Sequence, residues 1–561
     1  MKDWKKILIL WIVPLILYVG TLPFLPLMEP DEGRYSGIPA EMIATGDYIT
    51  PHLKGVVYFE KPPLMYWATA LSFHIFGQNE FASRLPVALC AWGLILLAWR
   101  MGLYFHDPRT GLYAAAVLTT CLFHAAIGRI NILDMPLAFF VCTAVWAGFR
   151  FFSGERYHKG WLCLFFFLSG LAFMTKGLIG IVFPAGVVGL WLVLSRRWRD
   201  ILRFFSPVGI AIFLLVTLPW LLLVQERNPD FFRFFFIQEH FLRYTTKFHQ
   251  RHEPFWFFLP ILVGGIIPWL GFLPAVACGF RRKWQQAFGR EEKRLLLTWF
   301  GFILVFFSIS SSKLVPYVAP LFPPLAVFLG RLFLVSEEDE TVAEGWKVRG
   351  PVILQSVLLG AALFVPAFLP ERGVPLGDWV LWIAPPLVLV ILLAILPVRL
   401  RHPERISRFL GIYLISAMLF LSLVFPAGRF LTPYKSAWPV VQAIPQYLPA
   451  GQKLYQFRIN LYGIDFYTGM RTPVVDEVGE LFYGALKISE DERKKWFLMF
   501  FEFFRFYRQG HEIYLVTEDR ENVDFIRKEV PDMEILWTNG NYFMIRLPMP
   551  ARTEAPPDPG Y

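Results

Sequence analysis

Charge is scarce in this chain. Of 561 residues only 17% are Asp, Glu, Lys or Arg, against about a quarter in an ordinary soluble domain. Cysteine is scarcer still. The five present (Cys90, Cys121, Cys142, Cys163 and Cys278) all lie in apolar stretches and none forms a C-x-x-C pair, which argues against a disulfide scaffold or a zinc ribbon and for small buried apolar side chains. No G-x-x-x-x-G-K-[ST] and no G-x-G-x-x-G string occurs, so a nucleotide-driven pump and a Rossmann-type sugar-nucleotide enzyme are disfavoured. There is no internal repeat. What fills the space is apolar: 56% hydrophobic residues, 17% aromatic, and a mean hydropathy of +0.47. Many Trp, Tyr and Phe fall near the ends of apolar runs, where interfacial belts form. The class is an integral membrane protein. A net charge of +10 does not indicate nucleic acid, because the basic residues are split into short clusters between apolar runs, as the positive-inside rule expects.

A membrane-spanning helix needs about 20 apolar residues. Candidate spans are 7–27, 83–105, 111–127, 132–152, 160–175, 178–195, 204–224, 255–279, 295–311, 315–335, 351–369, 378–397 and 409–426, thirteen in all. The first follows Lys2, Lys5 and Lys6, is too long for a signal h-region and has no A-x-A-like site after it, so it reads as an uncleaved span. With the N-terminus in the cytoplasm, six successive inner turns carry the basic clusters, at Arg109, Arg150/Arg156/Lys159, Arg196/Arg197/Arg199/Arg203, Arg281/Arg282/Lys283, Lys347/Arg349 and Arg399/Arg401/Arg405/Arg408. A missed or invented span would reverse that bias downstream. The outer side then holds loop 28–82, short turns beside Asp134, Lys176 and Lys313, loop 225–254, and the chain beyond about Arg429. Segments Pro62–Phe76 and Phe231–Tyr244 are apolar but too short to span, and read as helices lying in the interface. Residues 1–429 thus form a transmembrane domain. Residues 430–561 change character, with short β-like runs (Leu454–Phe457, Thr472–Val475, Glu512–Val516, Met533–Trp537, Tyr542–Leu547), a hairpin signal at Asn539-Gly540 and a Pro-rich tail. The expected fold class is a polytopic α-helical membrane protein with a C-terminal α/β domain on the outer face.

The ionisable residues that interrupt this pattern lie on one side: Asp31, Glu32, Arg34, Glu60, Lys61, Asp134, Lys176, His240, Arg243 and Lys313. An ionisable group at a span end is costly unless paired or hydrated, and is a functional candidate. Asp134, which opens a span, has a structural alternative as a helix-terminal acid. Lys61, after Glu60 and before Pro62-Pro63, could equally be a snorkelling lysine. His240 and Arg243, three apart, share a helix face. Glu60 with His240 could hold a divalent cation, although two ligands from different loops are weak metal evidence. Lys176 and Lys313 sit at outer ends of spans, where lysine is disfavoured. Cations at headgroup depth suit a phosphate or pyrophosphate through charge-assisted hydrogen bonds, and a nearby acid could act as a base or orient an acceptor. A lipid-borne phosphate fits this chemistry best.

The strings PDEGRY, GDYITPHLKGVVYFEKPPLMYW, ILDMPLAFF, MTKGLIG, RNPDFFRFFFIQEHFLRY, PFWFFLP and SKLVPYVAPLFPPLA, in this order, resemble the bacterial 4-amino-4-deoxy-L-arabinose lipid A transferases. Those proteins belong to the protein mannosyltransferase-like, GT-C group of polyprenyl-phosphate-dependent glycosyltransferases. The resemblance runs to about Arg331 and implies thirteen spans, a large first outer loop, a C-terminal periplasmic α/β domain and an inverting sugar transfer at the periplasmic face of the bacterial inner membrane. It implies an undecaprenyl-phosphate-linked sugar as donor, lipid A or a similar molecule as acceptor, and no nucleotide or nucleic acid. It assigns Asp31 as catalytic acid and Asp134 as a second outer acid. Lys61 and Arg243 match contacts to the carrier phosphate. Arg34, Tyr35, Tyr58 and Tyr317 line the same cavity with Lys176 and Lys313 nearby, and Glu60 and His240 match a metal-associated pair for zinc or magnesium. Beyond Arg331 no motif identifies the sugar. Protein O-glycosyltransfer is the alternative within the group. A transporter would place its charges near the midplane, and a sensor would need a cytoplasmic output module, for which every inner loop is too short.

Overall fold

The computed structural model describes residues 4–153, 158–242, 253–272 except 268, 289–338, 357, and 428–550 except 429. The expected spans 351–369, 378–397 and 409–426 lie outside the described residues, as do Arg243, Cys278 and the end of the Pro-rich tail. The chain divides into two compact units, one comprising Met1–Phe24 with Phe59–Pro426, the other Leu25–Tyr58 with Ala427–Tyr561.

The first unit is helical. Five helices among the described residues are long and apolar enough to cross a membrane: Glu80–Phe105, Asp134–Ser153, Lys159–Lys176, Pro207–Arg227 and Val315–Val335. Their ends follow from local chemistry. Asn79 caps the first of these, its Oδ1 accepting the Ala82 N–H at 2.9 Å. Asp107 does the same for Pro108–Thr120, where the proline occupies the first turn and loses nothing by lacking an N–H. Ser206 and Pro207 repeat that arrangement at Pro207–Arg227. The tight turn expected after Lys176 is made by Gly177, in the left-handed region at φ +76°, and by Gly180. A Cβ on Gly180 would lie 2.2 Å from the backbone nitrogen of Phe173, so only glycine lets Ile179–Leu194 fold back this closely. Pro62–Phe76 yields the helix Leu64–Phe76, with Met65, Tyr66 and Phe73 buried and Leu71, Ile75 and Phe76 exposed. That outward apolar row suits a helix lying in a bilayer interface. Phe231–Tyr244 contributes a π-helical stretch, Arg233–Leu242.

The second unit is built on strands. In chain order these are β1 (His52–Leu53), β2 (Val56–Val57), β3 (Leu454–Phe457), β4 (Val474–Val475), β5 (Phe497–Leu498), β6 (Ile513–Glu518), β7 (Glu534–Thr538) and β8 (Tyr542–Leu547). Strands β1 and β2 pair as a small antiparallel hairpin. The others form one six-stranded sheet in the order β5-β4-β3-β6-β8-β7. From β5 to β6 the pairing is parallel, and β8 and β7 are antiparallel. Alternate residues feed two cores. Tyr455, Phe457, Ile513, Leu515, Phe543 and Ile545 face one, while Leu454, Tyr514, Val516, Tyr542 and Met544 face the other. Burial on both faces is why these strands read as mostly apolar runs rather than as alternating ones. Gly540, at φ +89°, turns β7 into β8 at the expected Asn539-Gly540 position. Residues 25–58 add the helix Asp31–Thr45, which packs against the helix Tyr462–Thr468.

Candidate functional site

The first unit contains a cavity of about 530 Å³. Its walls are mostly apolar, with Leu137, Val182, Phe236, Phe306, Phe307 and Pro320 among them, and its polar groups are few: Lys61, Asp134, Lys176, Glu239, Ser310, Ser312 and Tyr317. Such a lining suits an amphiphile, with apolar surface to bury a chain and a small set of charges to fix a head.

Each charge arrives from a different element. Asp134 begins the helix Asp134–Ser153 and Lys176 ends the helix Lys159–Lys176. Lys176 Nζ donates to Asp134 Oδ1 at 2.6 Å and lies 4.8 Å from the centre of the Tyr317 ring. An acid at a helix N-terminus and a base at a helix C-terminus are each favoured by the backbone dipole, so this pair joins two favourable ends. Asp134 therefore serves as an ion-pair partner more than as the cap its position alone suggested. Each side chain keeps 13% exposure. Removing one partner of a largely buried pair strands the other. Asp134→Ala and Lys176→Met should each lower stability by roughly 3 kcal/mol, while the double variant recovers part of the loss. Thermal unfolding in detergent measures this, and additive losses would deny the coupling.

Lys61 is held from two directions. Its Nζ donates to the Glu60 carbonyl at 2.8 Å and lies 3.5 Å from Glu239 Oε2 on the π-helical stretch. A π-helical turn places one extra residue and often marks a functional site. The snorkelling alternative, in which the ammonium turns outward, does not describe this lysine. Lys313 is buried, with Nζ donating to the carbonyls of Glu253 at 3.0 Å and Ser310 at 2.8 Å. It braces the turn between the helix Arg290–Ile309 and Val315–Leu321. Tyr317 packs on Phe307 with ring centres 4.9 Å apart. His240 belongs to the π-helical stretch, but its side chain lies outside the described residues.

Asp31, Arg34, Tyr35 and Tyr58 belong to the second unit. Asp31 begins the helix Asp31–Thr45 and Arg34 follows one turn later, so the two form an i,i+3 ion pair. Arg34 also pairs with Glu480, and Glu480 Oε2 accepts the Tyr58 hydroxyl at 3.0 Å. Arg34 lies 4.8 Å from the centre of the Tyr35 ring. Burial differs sharply within this group: the Arg34 side chain is 8% exposed, whereas that of Asp31 is 50% exposed. Arg34 is thus structural on one side and presents Asp31 on the other. Sequence reasoning missed Glu480. It lies in an unremarkable stretch, VDEVGELFYG, and only its fold position puts it beside Arg34 and Tyr58.

Among the described residues no three His, Cys, Asp or Glu side chains come together as a metal site. The Glu60 carboxylate lies 3.9 Å from Lys61 Nζ, where a cation would compete with the ammonium. Of the pair that the resemblance implies for a metal, the Glu60 side chain is described, and that of His240 lies outside the described residues.

Residues 60–223 match the dolichyl-phosphate-mannose-protein mannosyltransferase family. The undecaprenyl phosphate-alpha-4-amino-4-deoxy-L-arabinose arabinosyl transferase 2 of Pseudomonas fluorescens is 33% identical over 383 residues, which cover 66% of this chain and 67% of that protein. The chain belongs to that arabinosyl transferase family. The corresponding Enterobacter transferase is also 33% identical, over 64% of this chain and 66% of its own length. Against other curated relatives the match is shorter, spanning 60% of the length of the Sodalis glossinidius transferase and 58% of the Edwardsiella ictaluri one. ArnT from Cupriavidus metallidurans, solved bound to undecaprenyl phosphate, superposes with a TM-score of 0.79 at 25% identity, over 98% of this chain and 99% of that one. The fold is accordingly the GT-C fold, mostly helical with several apolar helices, and the protein is a multi-pass membrane protein.

Proposed function

We propose that this protein is an inverting glycosyltransferase that moves 4-amino-4-deoxy-L-arabinose from undecaprenyl phosphate to a lipid A-type acceptor at the outer face of the bacterial inner membrane. One observation carries the reading: a mostly apolar cavity lined by Lys61 and by the Asp134–Lys176 pair, in a chain that superposes on ArnT bound to undecaprenyl phosphate. Thirteen spans, a cytoplasmic N-terminus and a periplasmic C-terminal α/β domain belong to the same reading, supported by the six basic inner turns.

In the proposed reaction the bond between the anomeric carbon and the carrier phosphate oxygen breaks, and the electron pair leaves with undecaprenyl phosphate. An acceptor oxygen attacks the opposite face and forms the new glycosidic bond, so configuration inverts. Positive charge builds on the ring and negative charge on the leaving phosphate. Lys61, with Arg243 by family resemblance, offsets the latter. The apolar wall contacts the polyprenyl chain, and low local polarity strengthens the lysine–phosphate attraction. Asp31 orients the acceptor. It takes the proton when the acceptor is a hydroxyl, whereas an ionised phosphate has none to give up. Glu480 and Tyr58 hold Arg34, and Arg34 holds Asp31 in place.

Incubating the reconstituted protein with undecaprenyl phosphate-4-amino-4-deoxy-L-arabinose and lipid A tests this. The expected product is lipid A heavier by one aminopentose. Transfer to a protein acceptor in place of lipid A, or no consumption of the donor, would overturn the assignment.

A further inference from the structure

Glu29 lies two residues before Asp31, follows no motif and is absent from the mechanism above, yet its carboxylate is enclosed within the second unit. Its Oε1 accepts the Gly463 N–H at 2.5 Å, and its Oε2 is shut off from solvent with no hydrogen-bond partner among the described residues. Two glycines make the space. A Cβ on Gly33, inside the Asp31 helix, would fall 2.6 Å from Oε2 and 2.8 Å from Oε1. A Cβ on Gly463 would fall 2.6 Å from Oε1. Neither glycine has a left-handed backbone, so close approach alone requires them there. The backbone on the same residue is tied as well, the Glu29 N–H donating to the Lys435 carbonyl at 2.6 Å. The helix Tyr462–Thr468 has no side-chain cap of its own, and Glu29 supplies the missing acceptor from far away in sequence.

We infer that Glu29 is a positioning residue for the transfer reaction: clasped between Gly33 and Gly463, its carboxylate fixes the first turn of the helix that carries Asp31 to the C-terminal α/β fold. The inference rests on the role proposed for Asp31. A second clamp supports the same joint, because Lys54, buried at 2% exposure in the β1–β2 hairpin, pairs with Asp465 at 2.9 Å and donates to Thr472 Oγ1 at 2.7 Å. The C-terminal unit is then more than an appendage. Its helix Tyr462–Thr468 and its Glu480 together set where Asp31 stands.

The clasp responds to pH. Burial pushes the Glu29 carboxyl up to about 8, against the opposing pull of the Gly463 and Tyr462 N–H groups and of Lys54. The other groups facing it are Asp465, which raises it further, and Tyr542 on β8. On its own segment, Glu32 Oε2 accepts the Met28 N–H at 3.0 Å, and Asp31 is taken up by Arg34. A carboxyl raised in the fold stabilises it in the protonated form. That contribution is complete below the unfolded-state value near 4.5, declines as pH climbs, and is gone above about 8. Ionisation therefore loosens the joint on the alkaline side.

The test uses the full-length protein reconstituted with undecaprenyl phosphate-4-amino-4-deoxy-L-arabinose and lipid A, with turnover measured from pH 6 to 9.5. Wild type should lose turnover on an alkaline limb centred near 8. Glu29→Gln, which keeps the shape and cannot ionise, should stay within about threefold of wild type at pH 7 and lose that limb. Gly463→Ala should lower kcat by about tenfold or more with donor KM within about twofold, because it misplaces Asp31 without touching the donor. An unchanged alkaline limb in Glu29→Gln overturns the inference, as does wild-type kcat in a folded Gly463→Ala. If Gly463→Ala does not fold, the Glu29→Gln profile decides alone. Asp31→Asn run in parallel separates the two levels. Retained activity there sinks the role of Asp31, whereas loss there with an unaltered Glu29→Gln profile sinks only the clasp.

Discussion

An Asp31→Asn variant should keep its fold and lose transfer to a hydroxyl acceptor by about 10²–10⁴-fold. The fold survives because the amide oxygen of Asn can still accept from Arg34, and because Arg34 is held independently by Glu480. The half-exposed carboxylate is the open end of that chain of contacts, so what disappears is its charge and its ability to take a proton. The size of the loss reports the acceptor. A hydroxyl must surrender a proton as it attacks and needs the base. A phosphate oxygen is already ionised, needs only orientation, and should lose about tenfold or less. Parallel assays with lipid A and with lipid A lacking its phosphates therefore give two numbers from one variant. Near-normal turnover with both acceptors would remove Asp31 from the reaction.

Much of this architecture is legible in the sequence because the membrane enforces it. A backbone in hydrocarbon must satisfy its own hydrogen bonds, so runs such as 83–105, 132–152 and 204–224 became the helices Glu80–Phe105, Asp134–Ser153 and Pro207–Arg227 with edges shifted by a few residues. Caps such as Asn79 and Ser206 explain those shifts. The strands Leu454–Phe457 and Tyr542–Leu547 were equally plain, since each is a mostly apolar, aromatic-rich run, broken only by Gln456 or Arg546, between polar segments. Strand β5 and the hairpin β1–β2 were not, because a two-residue strand has no periodicity to read. The Lys176–Asp134 pair was half visible. Lys176 could be seen to breach the positive-inside rule and Asp134 to open a span, but which partner each would take depends on helix packing. Glu480 and Glu29 were invisible for a deeper reason. Their chemistry comes from contacts about 420 to 450 residues apart in sequence, Glu480 with Arg34 and Tyr58, and Glu29 with Gly463. Neither glycine beside Glu29 looks different from the other glycines until a Cβ is imagined in its place.

Lys61→Ala should lower kcat/KM for the polyprenyl-phosphate donor by about 10²–10³-fold, the cost of removing one preorganised charge at a developing anion. The structure supplies the reason for so large an effect. Lys61 stands in the wall of a mostly apolar cavity with 13% of its side chain exposed, and it is oriented by the Glu60 carbonyl and Glu239. It is therefore placed before the donor arrives, and no water of comparable strength replaces it. Part of the loss should appear in kcat, because charge on the leaving phosphate is greatest in the transition state. Lys61→Arg tests whether charge alone suffices. Guanidinium restores the cation but is planar and bulkier than the ammonium it replaces, so it should recover only about a tenth of wild-type turnover or less. Glu239→Gln tests the opposite term. Removing the competing carboxylate 3.5 Å from Nζ should leave the lysine freer for phosphate and less well aimed, lowering donor KM while lowering kcat. Steady-state kinetics on the four proteins decide the matter: a Lys61→Ala enzyme with unchanged donor dependence would place the leaving phosphate elsewhere in the fold.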